Sequence, residues 1–252
     1  MRAESTPAAV LENRQKAHSL LTQTIQALGG PAFLQQNNAR MQVRIARFFR
    51  GKPTGKTLIA TITSESPNKS RLDVPRQHFV QLFSGNAAWE ITYKGKRALP
   101  PQESDSALRM KKHALLIVLG KWFNTPATVL IDEGPSQVER RPTEKIKLVH
   151  QSNDAQSNDA QANDAVTLEI DTESHLPLRL SFTWRDPRFS DRTLEVTEFD
   201  NYHVVDGIAT PFTVTQTQNG EVIREMYVQK VKYNIALPPD FFDPDAIAAH
   251  LK

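Results

Sequence analysis

The chain has 252 residues, 31 basic and 28 acidic side chains, a formal charge of +3 and no cysteine. With 39% hydrophobic and 23% charged residues it can bury one large core, which excludes a disordered chain. The missing cysteines exclude disulfides and thiolate chemistry, and the small, interspersed basic excess carries no basic-aromatic motif for nucleic acid.

No apolar run approaches the ~20 residues that a membrane-spanning helix needs; the longest candidate is Ala114–Leu119. Met1–Pro7 holds no apolar signal-peptide core, so a secreted location requires a leader already removed.

Thr6 is a good N-cap and Pro7 suits the first helical position. Val10, Ala17, Leu21, Ile25 and Leu28 follow at helical spacing, and Gly29-Gly30 stops the helix. Pro31–Gln36 can add one turn. Met41, Val43, Ile45, Arg47 and Phe49 then alternate on one face of a first strand. Further strands are expected at Lys56–Thr63, Arg71–Val74, Gln77–Phe83 and Ala87–Tyr93, with Trp89, Ile91 and Tyr93 on one face.

The period changes after Pro100-Pro101. Ser104 or Asp105 can cap a helix over Ala107–Phe123 that is apolar almost all round, from Leu108 and Met110 through Leu115, Leu119, Trp122 and Phe123. Arg109, Lys111, Lys112 and His113 form its one polar patch. Such a helix needs cover on more than one side, and the spacing predicts a lid or plug over a sheet face.

Strands resume at Thr128–Ile131 and Val138–His150. Gln151–Ala165 is three imperfect copies of a five-residue unit, QSNDA, QSNDA and QANDA, without a large apolar residue. It reads as a solvated hairpin loop rather than a calcium ladder, since it lacks the glycines and glutamate of such loops. Val166–Tyr233 is an antiparallel meander. In it Leu176, Leu178, Leu180, Phe182 and Trp184 present a wide apolar face. Asp206-Gly207 and Asn219-Gly220 are hairpin turns between Thr193–Phe199, Ile208–Thr217 and Val222–Tyr233. Asp243 caps a last short helix that starts at Pro244.

The fold expected from these elements is α+β: one strongly curved antiparallel sheet of about eleven strands, with helices over one face, as a single domain over 1–252. The seven histidines show no helical zinc spacing, and no nucleophile elbow or phosphate loop is visible. Arg47 shares a face with Ile45 and Phe49. It reads either as a rim position with its stem snorkelling or as an anchor for a lipid headgroup or for lid carbonyls. The apolar faces are compatible with a packed core and with a ligand cavity.

The opening helix ending Ala27-Leu28-Gly29-Gly30, the apolar helical insert after about five strands, and the closing segments carry a resemblance. Those segments are Phe199-Asp200-Asn201-Tyr202, Val205–Pro211, Val231-Lys232-Tyr233-Asn234 and Leu237–Phe242. The chain resembles the periplasmic lipoprotein carrier LolA and its relatives, including outer-membrane lipoprotein-sorting proteins. The resemblance implies an unclosed half β-barrel with a helical lid over an apolar concave face. It implies a periplasmic, non-enzymatic carrier or chaperone for a lipid or lipoprotein acyl chain, with no cofactor and no metal, acting as a monomer.

The alternative is an envelope sensing or assembly module that binds a membrane-protein partner through the same cleft. The residues expected to line the ligand site are Ile45, Arg47, Phe49, Trp89, Ile91, Tyr93, Leu115, Leu119, Trp122, Leu178, Leu180, Phe182 and Trp184. No functional position of the carriers aligns one by one.

Overall fold

The computed structural model describes residues 7–151, 163–185 and 192–251. Helix α1 spans Pro7–Leu28 and α2 Pro31–Leu34. Six strands follow: β1 Asn38–Phe49, β2 Lys52–Glu65, β3 Lys69–Val74, β4 Phe79–Ser84, β5 Ala87–Thr92 and β6 Gly95–Ala98. The helical insert is α3, Pro101–Lys112, then α4, Leu115–Ile117, which widens into a π-helical turn at Val118–Trp122. Seven strands complete the sheet: β7 Thr128–Val138, β8 Arg141–Gln151, β9 Asn163–Asp171, β10 Pro177–Arg185, β11 Arg192–Val205, β12 Ile208–Gln218 and β13 Glu221–Tyr233. Helix α5, Pro244–His250, closes the described chain.

All thirteen described strands belong to one antiparallel sheet, in the order β6-β5-β4-β3-β2-β1-β13-β12-β11-β10-β9-β8-β7. The first meander and the second are joined by β1 pairing with β13, Met41 opposite Val231 and Ile45 opposite Met226. The two edges are therefore β6 and β7, and the chain between them is the helical insert. It leaves one edge and must reach the other, and it does so across the sheet's inner face.

Curvature can be read from that crossing. Arg109 of α3 stacks on Trp184 of β10, and Lys111 lies over Phe83 of β4. Those strands are third and tenth in the sheet order. A flat sheet with strands ~4.8 Å apart would hold them more than 30 Å from each other; only a strongly curled sheet brings both to one helix. The architecture is thus the unclosed, curved α+β sheet expected from the sequence.

Several boundaries differ. β6 adds an edge strand that is too short and polar to show alternation, with Thr92 opposite Gly95. The strand expected over Thr128–Ile131 runs on to Val138 through a bulge, with Gly134 at φ 87°, and the strand expected from Val138 starts only at Arg141. β7 is an edge strand, one of the few places in a sheet where a proline such as Pro135 is tolerated. The loop expected over Gln151–Ala165 is shorter than its repeat: Gln151 closes β8, and Asn163, Asp164 and Ala165 belong to β9, Asp164 opposite His150. Residues 152–162 and the Thr6 cap lie outside the described residues.

α1 closes one side of the concave face. Ala17, Leu21, Thr24, Ile25 and Leu28 are buried against it. Asn13 fastens the helix to the β7 bulge: its Nδ2 donates to the Asp132 carbonyl at 2.7 Å and its Oδ1 accepts from Asp132 N at 2.9 Å. Lys16 adds an ion pair to Asp132 at 2.7 Å. At the other end a Cβ on Gly29, at φ 122°, would meet the Gly207 carbonyl oxygen at 2.2 Å, so the helix stop and the β11–β12 turn fit only with glycine there.

Helix α5 is not on the concave face. Cross-strand register puts Val80, Leu82 and Ile91 on the opposite side of the sheet from Phe79 and Phe83. They pack with Phe242, Ile247 and Ala248. Asp243 caps α5 by accepting from Asp245 N and Ala246 N, as its sequence position predicts.

Candidate ligand-binding site

The helix expected as one continuous lid over Ala107–Phe123 is broken. It begins earlier, at Pro101, and stops at His113, after which Ala114 is extended at ψ 144°. The break has a local cause. The Arg109 carbonyl accepts from His113 N at 3.1 Å and lies 2.7 Å from His113 Nδ1, so side chain and main chain share one acceptor.

The polar patch of this insert faces inward. The Arg109 guanidinium carbon lies 3.6 Å from the Trp184 ring centroid, while Trp184 Nε1 donates to Glu195 at 2.8 Å. The His113 ring is buried. It stacks on Phe182 at 3.9 Å between centroids, and its Nε2 is 2.7 Å from an Asp164 oxygen. Lys112 holds the other Asp164 oxygen at 2.7 Å. Burial pushes the Asp164 carboxyl up, but the hydrogen bonds and charges of His113 and Lys112 outweigh it and hold the group below the usual carboxylate range. Arg109, Lys111 and His113 thus pin the insert to β10, β4 and β9.

Two regions under the insert differ in packing. Over the second meander the concave face is solid. Val118, Leu119 and Trp122 of the π-helical turn meet Leu148, Val166, Leu168, Leu180 and Phe182, with α1 alongside, all buried. Trp122 also stacks on His150 at 5.1 Å. Over the first meander, beside the start of β1, a cleft of about 260 Å³ remains. Ala39 and Met41 of β1, Ser64 of β2 and Ser70 of β3 form its sheet wall; Lys111, Ala114, Leu116 and Ile117 form its lid wall. Asn37, Asn38 and Pro67 close the rim.

The residues expected to form one site divide among these regions. Leu115, Leu119, Trp122, Leu180, Phe182 and Trp184 come together in the packed core under the insert, and Leu178 is buried. Ile45 lies on the same concave face but in a separate cluster with Val43, Ala60, Val74, Val228 and Val231. Trp89 and Ile91 share a face as alternation requires, but it is the convex one, against α5. Alternation tells which side chains share a side and not which side faces inward. Tyr93 is 61% and Phe49 69% exposed. Arg47 is exposed and sits opposite Arg224 across β1 and β13. Burial first, then the like charge of Arg47, lowers the Arg224 guanidinium from its ordinary value.

The cleft residues Ser64, Ser70, Lys111, Leu116 and Ile117 were not singled out in the sequence as a site. Lys111 carried the one available signal, a charge on an otherwise apolar helix. Its Nζ is buried without a hydrogen-bond partner among the described residues and lies 5.2 Å from the Phe83 ring centroid. Burial pushes its pKa down to about 8.

No family model matches the chain, and no curated protein matches it. Solved structures do. A DUF1329 family protein from Desulfovibrio piger superposes with a TM-score of 0.59 at 13% identity, covering 93% of this chain and 99% of its own. A putative outer membrane lipoprotein-sorting protein domain from Vibrio parahaemolyticus gives 0.57 at 10% identity, covering 94% and 100%. A LolA superfamily protein from Nitrosomonas europaea gives 0.53 at 13%, covering 91% and 98%. The chain has a LolA-like fold along nearly its whole length.

Proposed function

We propose that the protein is a non-enzymatic periplasmic carrier or chaperone that holds an acyl chain of a lipid or lipoprotein between the concave sheet and the α3–α4 insert, as a monomer and without a cofactor. The observation that carries this reading is the cleft between α4 and the β1–β3 wall, on the inner face of a sheet whose fold is shared with lipoprotein-sorting proteins. Its volume, about 260 Å³, lies just below the ~300–1,000 Å³ of pockets for drug-sized ligands. In this state it takes a head or a short length of chain, and a full acyl chain requires α4 to move off the sheet. The extended link at Ala114 and the π-helical turn are the places where it can swing.

The test is native mass spectrometry of protein purified from a cell-envelope fraction, before and after organic extraction. Co-purified lipid that extraction removes and added lipid restores is the expected result. Ligand-free protein that also takes up no added lipid, yet retains one specific protein partner, would replace the carrier by an assembly module using the same cleft.

A further inference from the structure

The sheet wall of the cleft lies along a polar row, and the row beside it on the same face is apolar. Ala39, Ser64, Ser70 and Phe83 lie side by side across β1, β2, β3 and β4, each opposite the next. The adjacent row on the same face is Met41, Ile62 and Leu72. Lys111 comes down from α3 over Phe83, at the end of the polar row.

We propose that this end of the cleft is an oxyanion site, in which the Lys111 ammonium and the Ser64 and Ser70 hydroxyls hold the anionic head of an acyl amphiphile, a carboxylate or a phosphate, with its chain along Met41, Ile62 and Leu72.

Burying an ammonium without a counter-charge is costly, and an aromatic face offsets only part of that cost. Lys111 Nζ has no hydrogen-bond partner among the described residues, and neither serine hydroxyl is engaged by one. The carboxylates close by are already committed. Glu65 accepts from Lys69 at 2.7 Å, and Lys69 also lies over Phe242 on the convex side. Glu90 is bound by Arg97. Asp164 is shared by Lys112 and His113 on the other flank of the insert. An anion seated in the cleft, whose lining also holds the mutually neutral Glu65–Lys69 pair, would bring a counter-charge to the buried Lys111 ammonium once that side chain moves off Phe83, with two hydroxyls beside it and apolar side chains one row further in. That sequence of surfaces matches an amphiphile with a charged head.

This inference rests on the acyl-carrier reading and goes further in assigning the head. The experiment compares cis-parinaric acid with its methyl ester, titrated by fluorescence against the parent, Lys111→Met and Lys111→Arg. A charge-assisted hydrogen bond predicts that the parent binds the acid ~10-fold or more tightly than the ester. Lys111→Met brings the acid to the ester's affinity and leaves the ester unchanged; Lys111→Arg keeps the preference. Displacement by lysophosphatidic acid against displacement by oleate tells a phosphate head from a carboxylate. Equal binding of acid and ester by the parent, or a preference that survives Lys111→Met, overturns the oxyanion site and leaves the carrier reading standing. Binding of neither probe overturns both.

Discussion

His113 Nε2 and an Asp164 oxygen are 2.7 Å apart, and the other ring nitrogen of His113 is 2.7 Å from the Arg109 carbonyl oxygen. Carbonyl and carboxylate oxygens only accept, so both ring nitrogens face acceptors. The pair joins the point where the insert breaks to the first residues of β9. It is the polar counterpart of the apolar packing beside it, where Phe182 and Trp122 contact the same ring.

Asp164→Asn is expected to destabilise the protein. Removing one member of a fully buried pair costs ~3–5 kcal/mol. Asp164 keeps 18% of its side chain exposed and shares its charge with Lys112, so about 2 kcal/mol is expected. In a domain of this size that lowers Tm by ~4–8 °C. A thermal melt by circular dichroism reads it directly; an unchanged Tm would mean the pair does not hold the insert.

The same contact sets an acid dependence. The Asp164 carboxyl titrates below its ordinary value in the folded protein, so the folded state binds fewer protons than the unfolded one as pH falls. Its stabilisation is complete above the unfolded value of ~3.9 and is lost as pH drops through the lower native value. The Tm gap between parent and Asp164→Asn should be constant from about pH 5 to 7 and close below about pH 4. Asp171, also lowered although burial opposes it, through its Ser174 and Glu173 bonds and the Arg141 charge, gives the variant an acid limb of its own. A gap that persists to pH 2 would assign the stabilisation to packing and not to charge.

Lys111 shares the direction of that slope, but its charged form costs stability where the Asp164 carboxylate supplies it. Its pKa falls from 10.5 to about 8 on burial, so between those values the unfolded chain binds the extra proton. Stability contributed by this residue rises with pH through that window. Around it, the Glu65–Lys69 and Glu90–Arg97 pairs are mutually neutral, and Lys112 is matched by Asp164. Lys111→Met should be more stable than the parent at pH 7 by ~1–3 kcal/mol, the cost of a buried unsatisfied group. The difference should shrink toward pH 10. Urea unfolding at both pH values measures it, and a variant less stable than the parent at pH 7 would contradict it.

Much of the scaffold is legible in the sequence, because its signals are local. Ala17, Leu21, Ile25 and Leu28 mark the buried stripe of α1, Leu180, Phe182 and Trp184 mark a concave face, and Asp243-Pro244 marks the start of α5. What the residues do not carry is register between distant segments. Nothing local to Trp89 and Ile91 says that α5 would claim their face, and nothing in Ser64 or Ser70 says that both lie in one row beneath Lys111. Asp164 was hidden differently: its repeat unit is polar and reads as solvent-facing, yet one aspartate of it is drawn under the insert by His113. The charges on the helix were visible, but their inward direction depends on a sheet curved enough to surround them.

The two walls of the insert are covered differently. Leu119 and Val118 are fully buried in the solid core beneath α1, whereas Leu116 and Ile117 are half-buried and line the cleft. Leu119→Ala should leave a cavity and cost ~2–5 kcal/mol, and Trp122→Ala, which also loses its stack on His150, ~3–5 kcal/mol. Neither side chain lines the cleft, so neither change should alter probe affinity in protein that remains folded. Leu116→Ala and Ile117→Ala remove less buried surface and should cost under ~2 kcal/mol. They change the lid wall itself. If α4 must swing out to admit an acyl chain, weakening its contact with the sheet lowers the opening cost and raises the competent fraction, so apparent affinity rises. Thermal melts beside titration with a fluorescent fatty acid on all four variants decide the matter. Tighter probe binding by the two cleft variants, with stability loss concentrated in the two core variants, is the expected pattern. Affinity changes that instead follow Leu119 and Trp122 would move the ligand path into the core under α1 and away from the β1–β3 wall.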